Sequence, residues 1–358
     1  MARLGTWIVA LAAPALLALA GPPLAWALAA AAPPPAAPPR AELPIKAVTL
    51  SNGAVRFAVP IRIGERTLDA ALDTGSTGLR VLPGVLGPAD AAAGDEPEVY
   101  GYASGSRYEG VTGEAPVTLG AVRARAPLHL IRSIGCYVAY PRCPASRTTL
   151  EHYGIASDGL PDEGFKAILG TNMAPEKVAN PLTAMGVRRW IVELPRPGEP
   201  GPGRLVLNPT REETEGYVML PMSAPFSKMQ GGGLHDALPG CLSQVDGRAR
   251  VCGPVLLDTG SSFLSVLNAR PPGPWPPEVR AAALEFFDPR GDVVARHVMT
   301  LGSREQATRL VWRQEPRAPG QLIFAGVAPY FAYSVLYDAR RQAIGLKARS
   351  PVEVAESF

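Results

Sequence analysis

The feature that most constrains the fold of this chain is a short motif that occurs twice. Residues 72–79 read Leu-Asp-Thr-Gly-Ser-Thr-Gly-Leu, and residues 257–264 read Leu-Asp-Thr-Gly-Ser-Ser-Phe-Leu. In each copy an aspartate follows an apolar run and precedes Thr-Gly-Ser and a second apolar stretch. One copy fits any strand that ends in a polar turn. Two copies, 185 residues apart, predict two related halves that each present one carboxylate.

Two carboxylates of this kind suit the hydrolysis of a peptide bond by water. One can act as the base that activates the water while the other acts as the acid. Carboxylates about 3 Å apart cannot both ionise, so such a pair shares one proton, and its two pKa values belong to the pair. Gly75 and Gly260 would allow the backbone to turn sharply beside Asp73 and Asp258.

The two motifs resemble those of the pepsin-like aspartic proteases, and the resemblance extends over about residues 57–347. It implies an all-β, bilobal fold with a central cleft and few short helices, in which Asp73 and Asp258 are the catalytic pair. It further implies that the hydroxyls of Thr74 and Thr259 cross-link the two loops. The remaining supporting side chains, Ser76 and Ser261, are expected to hydrogen-bond the outer oxygens of the aspartates.

The segment after the first motif resembles the flap hairpin of this family. Tyr102 would fold over the substrate and exclude water, with Ser104 and Gly105 at the tip of the flap. Tyr100 is the alternative flap tyrosine, and either side chain could be an ordinary strand tyrosine. Arg80 stands where the family usually has a tryptophan that supports the flap tyrosine. Three alternatives stay open for it: selectivity for acidic substrate groups, a disabled flap, or a side chain in solvent.

Two further blocks extend the resemblance. Residues 165–170 are similar to the strand that runs behind the first catalytic loop. Residues 322–331 look like the matching segment of the second lobe, although they carry Phe-Ala-Gly where an aliphatic residue, Leu and Gly are usual. The resemblance implies a monomer that holds an extended peptide as an added strand. It implies no metal and no organic cofactor.

The N-terminal segment predicts export. The predicted segments are 1–32 (signal peptide or N-terminal membrane anchor), 33–45 (Ala/Pro-rich linker), 46–207 (first lobe), 208–348 (second lobe) and 349–358 (tail). Contact with a membrane is expected only if the first segment stays uncleaved. Few residues separate it from the first strand, so we expect no activation by propeptide removal. The bias toward Ala, Pro and Arg favours a bacterial protein from a GC-rich genome, periplasmic or secreted.

Composition excludes some functions and supports a large core. Apolar residues make up 47% of the chain and charged residues 19%, which is enough for two lobes of ordinary size. The net charge is only +3 and no basic cluster occurs, so nucleic-acid binding is not indicated.

Four cysteines fit an oxidising compartment. Cys241 and Cys252 lie symmetrically about Asp246-Gly247, a strong hairpin signal, and would face each other across that hairpin. Cys136 and Cys143 bracket a short loop and are also expected to pair. A zinc site is the alternative, and it is disfavoured because no Cys-x-x-Cys motif occurs.

The hydrophobic pattern is mostly that of strands. Alternating apolar residues over 55–63 predict a half-buried strand, preceded by an Asn52-Gly53 turn. A short helix is expected at 180–186. A longer one is expected at 278–287, where two prolines precede apolar residues at helical spacing.

Three functions fit these features. The first is an aspartic endopeptidase. The second is a catalytically inactive pepsin-fold protein that binds a ligand or inhibits an enzyme, since a fold does not fix a function. The third is an envelope protein that needs the aspartate pair only for its structure. Inactive proteins of this fold often lose one aspartate or the glycine beside it. Both motifs are complete here, which favours catalysis.

Overall fold

The structure is a computed structural model, and it describes residues 38–223, 235–270, 275–276, 278–315, 318 and 320–350. The predicted signal peptide or anchor at 1–32 lies outside these ranges, as do the first residues of the predicted linker and most of the predicted tail. Within the described ranges, no helix is both long enough and apolar enough to cross a membrane.

Strands dominate the regular secondary structure of the described residues, and helices are few and short. The first half contains β1 (Ala41–Thr49), β2 (Val55–Ile63), β3 (Arg66–Asp73), β4 (Thr77–Val81), β5 (Ala92–Gly101), β6 (Ser106–Leu119), β7 (Val122–Cys136), β8 (Ala167–Thr171), β9 (Arg189–Glu193) and β10 (Gly203–Leu207). The second half contains β11 (Val218–Pro221), β12 (Ala237–Gln244), β13 (Arg250–Leu257), β14 (Leu264–Asn268), β15 (Ala281–Phe287), β16 (Val293–Thr300), β17 (Leu310–Gln314), β18 (Leu322–Gly326), β19 (Tyr333–Asp338) and β20 (Ala343–Ala348). Two short α-helices accompany them, α1 (Pro181–Ala184) and α2 (Ala328–Ala332).

The strands form two large sheets. The first sheet has 13 strands in the order β11-β20-β19-β9-β10-β1-β2-β3-β8-β4-β7-β6-β5. The second has seven, in the order β16-β15-β12-β13-β18-β14-β17. Strands β11, β19 and β20 belong to the second half of the chain, so the first sheet joins both halves. This all-β architecture confirms the predicted fold class.

The duplication expected from the two motifs extends to strand pairing. In the first half, β3 pairs with β8 in parallel, β8 with β4 antiparallel, and β4 with β7 in parallel. In the second half, β13, β18, β14 and β17 pair in the same order with the same directions. Each motif starts at the end of the first strand of its set, so the two aspartates occupy equivalent places.

The burial of β8, the central strand of the first set, explains its apolar sequence. All five residues of β8, Ala-Ile-Leu-Gly-Thr, are buried between β3 and β4. A strand covered on both faces reads as a continuous apolar run rather than an alternating one. The predicted role of residues 165–170, a strand behind the first aspartate loop, is therefore confirmed.

Two expectations about local structure are wrong. Residues 281–287 form strand β15, not a helix, and β15 lies between β12 and β16. Its residues Ala282, Ala283, Leu284 and Phe286 are fully buried. The less buried positions of β15 also carry apolar residues, Ala281 and Phe287, so the sequence shows no clear alternation. The predicted linker also extends too far, since residues 41–45 belong to β1 and pair with β10.

Other local expectations are confirmed. Residues 55–63 form β2, preceded by a turn in which Gly53 has φ +80°. Helix α1 is short and begins after Asn180, whose side chain accepts hydrogen bonds from two backbone N–H groups of the first turn. Both disulfides form as expected: Cys241 pairs with Cys252 across the β12–β13 hairpin, and Cys136 with Cys143.

Candidate active site

The two aspartate loops meet where the two halves of the chain come together. A Cβ atom on Gly75 would lie 2.5 Å from Oδ1 of Asp258, and one on Gly260 would lie 2.8 Å from Oδ1 of Asp73. Each glycine therefore makes room for the carboxylate of the opposite loop, a requirement beyond the sharp turn expected from sequence. The structure thus brings Asp73 and Asp258 face to face.

The loops are joined by reciprocal hydrogen bonds between their threonines. The N–H of Thr74 donates to Oγ1 of Thr259 at 3.0 Å, and the N–H of Thr259 donates to Oγ1 of Thr74 at 3.0 Å. The hydroxyls donate in turn to the carbonyls of Leu257 at 2.8 Å and Leu72 at 2.7 Å. Both threonines are buried. This network contains the cross-link that the resemblance implied.

The two carboxylates have unequal hydrogen bonding. Oδ1 of Asp73 accepts from the N–H groups of Gly75 at 2.8 Å and Ser76 at 3.1 Å, and its Oδ2 accepts from the Ser76 hydroxyl at 2.6 Å. Asp258 accepts from the N–H of Gly260 at 2.9 Å. Burial, and then the neighbouring Asp73 carboxylate, raise the pKa of Asp258 well above its ordinary value.

The hydrogen bond expected from Ser261 to the outer oxygen of Asp258 does not form, so that expectation is wrong. The Ser261 hydroxyl donates to the carbonyl of Phe263 at 3.0 Å rather than to Asp258. Phe263 occupies the place of Gly78, which has φ +99°. A phenylalanine avoids that left-handed backbone region, so the second loop turns differently after its serine.

The β5–β6 hairpin is the predicted flap, and residues 102–105 are its turn. The N–H of Tyr102 donates to the carbonyl of Ser106 at 2.9 Å, and the N–H of Gly105 donates to the carbonyl of Tyr102 at 2.8 Å. Gly105 has φ +91°, which a residue with a Cβ rarely adopts. Ser104 is exposed at the tip. The flap and both aspartate loops line one cleft with a cavity of about 220 Å³.

Tyr100 and Tyr102 both line this cleft but differ in their contacts. The hydroxyl of Tyr100 accepts from the N–H of Thr77 at 3.2 Å, so it rests against the first aspartate loop. The hydroxyl of Tyr102 is buried and has no hydrogen-bond partner among the described residues. Burial raises the pKa of both phenols, that of Tyr100 to about 12.

Arg80 is fully buried on β4, so the alternative that placed its side chain in solvent is wrong. Its guanidinium lies 3.3 Å from the centroid of the Tyr100 ring and donates to the carbonyls of Thr77 and Gly78. Nε and Nη2 have no partner within the described part of the chain. Burial, and then the charge of Arg80, lower the pKa of the adjacent His129 to about 3. Arg80 does not line the cleft. It supports Tyr100 from behind.

Sequence reasoning missed the tyrosines behind the first loop. The hydroxyl of Tyr330 lies 2.9 Å from Oγ1 of Thr74 and 2.6 Å from the hydroxyl of Tyr337, and both tyrosines are buried. The only signal in the sequence is a pair of tyrosines in an otherwise apolar segment. Their partner on the first loop lies 256 residues from Tyr330, so no local pattern could identify it.

A further missed contact joins the flap to the second sheet. Nη2 of Arg313, on β17, donates to the carbonyl of Ala103 at 2.8 Å. The loop closed by the Cys136–Cys143 disulfide supports the same turn, because the N–H of Tyr137 donates to the carbonyl of Gly105 at 3.0 Å. Within the described ranges, no group of three or more His, Cys, Asp or Glu side chains is placed to hold a metal ion.

Comparison with known proteins gives a match in structure alone. No protein-family model and no curated protein matches this sequence. Among solved structures, the aspartic proteinase from Irpex lacteus matches with a TM-score of 0.58 and 12% sequence identity, over 88% of this chain and 99% of that chain. At this identity the match establishes the fold, and the chain has the fold of a pepsin-like aspartic proteinase.

Proposed function

We propose that this protein is an aspartic endopeptidase that hydrolyses peptide bonds with a water held between Asp73 and Asp258. The observation that carries the proposal is the mutual fit of the two loops. Each glycine leaves space that the opposite carboxylate occupies, and the threonines fix the loops in that position. A fold alone would not require this arrangement.

The unequal surroundings of the carboxylates assign their roles in this proposal. Asp73 accepts three hydrogen bonds, and the raised pKa of Asp258 makes Asp258 the holder of the shared proton. Asp73 takes a proton from the water as the water oxygen attacks the peptide carbonyl carbon. Asp258 donates its proton to the carbonyl oxygen, giving a tetrahedral diol. Asp73 then protonates the amide nitrogen, the C–N bond breaks, and a diol hydroxyl returns its proton to Asp258.

The flap would hold an extended peptide over the pair as an added strand and exclude water from the cleft. Tyr102 lies in the turn of the flap, and its hydroxyl has no hydrogen-bond partner within the described ranges. In this proposal Tyr102 lies over the substrate, with its ring packed against the rings of Tyr100 and Tyr108. Tyr100, held between Arg80 and Thr77, keeps the base of the flap against the first aspartate loop.

Export is part of the proposal. Two disulfides fit a protein that folds in an oxidising compartment such as the periplasm or the extracellular space. Unfolded proteins or peptides in that compartment are the proposed substrates, and the chain is proposed to act as a monomer.

The test is cleavage of a denatured protein between pH 3 and 7, with and without a statine-type inhibitor. We expect inhibitor-sensitive cleavage by the wild type and a loss of at least about 1,000-fold in kcat for Asp73→Asn and for Asp258→Asn. Asp69→Asn is the matched control, because Asp69 lies on the same strand as Asp73 but is ion-paired with Lys46 at the surface. An intact substrate at every pH would contradict the enzyme and favour an inactive binding protein.

A further inference from the structure

One cation that borders the cleft has no carboxylate partner among the residues that the structure describes. Arg313 lines the cleft from the second sheet, opposite the turn of the flap. It is half-buried, and its Nη2 donates to the carbonyl of Ala103, a neutral acceptor. The guanidinium therefore lies at the rim where the flap meets the second half of the molecule, within reach of a peptide under the flap.

The other charged side chains that line the cleft are already compensated. Arg56 and Asp158 form an ion pair with Nη2 and Oδ1 2.5 Å apart. Asp73 and Asp258 face each other and share a proton in the proposed mechanism. Among the described residues Arg313 forms no ion pair, and its other close group is the Tyr140 ring, 5.8 Å from the guanidinium carbon.

The residues around Arg313 leave most of its donors available. Glu315 lies two positions further on and accepts a hydrogen bond from the Tyr140 hydroxyl at 3.3 Å. A guanidinium carries several N–H donors in a planar fork. Since the contact with Ala103 uses only Nη2, a ligand could bind Arg313 while the flap stays closed.

A second arginine adds to the positive charge of this rim. Arg309 is exposed and lies 5.1 Å from the ring of Phe263, which lines the cleft. It immediately precedes β17 and lies four positions before Arg313, so an extended chain directs both side chains to the same face. Arg309 also lacks an ion pair within the described ranges.

From this arrangement we infer that the subsite between Ala103 and Arg313 takes an acidic side chain, and that the enzyme selects peptides with glutamate or aspartate at that position. The inference rests on the proposed endopeptidase function and names its substrate class. A carboxylate would give Arg313 a charged acceptor with two oxygens, which binds a guanidinium more strongly than a neutral carbonyl does. The partly enclosed position of the side chain reduces screening by solvent.

The test compares peptides that differ only by glutamate or glutamine at each position around one scissile bond, at pH 6, where glutamate is ionised. For the wild type, kcat/KM should favour glutamate at one position by about tenfold. Arg313→Gln should bring that ratio close to one, and Arg313→Glu should reverse it in favour of glutamine. Arg123→Gln, an exposed arginine on β7 away from the cleft, should keep the wild-type ratio.

Binding of the same peptides to the Asp73→Asn protein separates this inference from the proposed function. An affinity ratio of about tenfold that Arg313→Gln removes supports the acidic subsite even if the wild type cleaves nothing. Failure of the wild type to cleave any peptide overturns the endopeptidase. Equal binding of both peptides at every position, or a ratio that Arg313→Gln leaves unchanged, overturns the acidic subsite.

Discussion

At the scale of single residues, the raised pKa of Asp258 makes a prediction about stability. The folded protein binds this proton more tightly than the unfolded chain, whose carboxyl has a pKa near 3.8. The resulting stabilisation is present below pH 3.8 and is lost as pH rises through the folded pKa. We therefore expect Asp258→Asn, which is neutral at every pH, to be more stable than the wild type at pH 7. The difference should be about 1.4 kcal/mol for each unit by which folding raises the pKa of Asp258.

Urea titrations at pH 3 and pH 7 measure this difference, which should vanish at the lower pH because both side chains are then neutral. Asp69→Asn, at an exposed position, should change stability by less than about 0.5 kcal/mol at either pH. A variant Asp258→Asn less stable than the wild type at pH 7 would show that the carboxylate stabilises the fold.

Arg80 makes a second prediction at this scale, because it is both a large buried side chain and an incompletely paired charge. Arg80→Ala should destabilise the protein by about 3 kcal/mol, since it leaves a cavity and removes the donor to the carbonyls of Thr77 and Gly78. Arg80→Met fills most of the volume without the charge, and we expect it to restore more than about 1 kcal/mol. Equal losses of free energy of unfolding in the two variants would show that the charge, not the packing, supports Tyr100.

The residue scale also shows where prediction from sequence stops. Asp73, Asp258 and the two threonines were identified because their roles follow from a repeated local motif. The hydrogen bond of Ser261 was not identified, because its acceptor depends on how the chain turns at Phe263, two positions later. The environment of Arg80 was left open, because its burial depends on neighbours from β7 and β8.

At the scale of elements, the strands behind the two loops predict the effect of a single methyl group. A Cβ on Gly170, in β8, would lie 2.8 Å from the carbonyl oxygens of Ser76 and Gly78. A Cβ on Gly326, in β18, would lie 2.8 Å from the carbonyl oxygen of Ser261. Gly170→Ala must therefore displace the first aspartate loop. We expect kcat/KM for peptide hydrolysis to fall about 100-fold, since a displacement of about 1 Å at a catalytic group has that effect.

Steady-state kinetics of Gly170→Ala against Gly135→Ala test this prediction. Gly135 is also a strand glycine, in β7, but a Cβ there would meet no atom within 4 Å. We expect the control to keep its activity within about twofold. Full activity in Gly170→Ala would mean that the strand yields without moving Asp73.

Elements were predictable where apolar and polar residues alternate and ambiguous where apolar residues occupy successive positions. Strand β2 was predicted with its observed bounds because apolar residues alternate along it. Strand β15 was mistaken for a helix because its less buried positions also carry apolar residues, Ala281 and Phe287, so apolar and polar residues do not alternate along it. Local sequence does not carry this distinction, since a buried strand and a buried helix present the same continuous apolar run.

At the scale of the whole molecule, the halves are joined in two ways. Strands β11, β19 and β20 of the second half complete the first sheet, and the threonine cross-link joins the aspartate loops. The motifs predicted two related halves, but not which strands cross between them. Such pairings depend on contacts far apart in the chain. We expect this coupling to make the protein unfold in a single cooperative transition.

Thr74→Val tests the coupling. The substitution keeps the shape of the side chain but leaves the N–H of Thr259 without a buried partner, and it leaves the carbonyl of Leu257 with only the Tyr330 hydroxyl at 3.4 Å, which costs about 1–3 kcal/mol. It also removes the contact with Tyr330, so the halves lose part of the hydrogen bonding that they share at the centre, while the N–H of Thr74 still donates to Oγ1 of Thr259. Hydrogen exchange of β8 and β18 in increasing urea should then give two separate midpoints instead of one.

Thr67→Val, exposed on the same strand as Asp73, should leave a single midpoint. Coincident midpoints for β8 and β18 in Thr74→Val would show that the shared sheet alone couples the two halves.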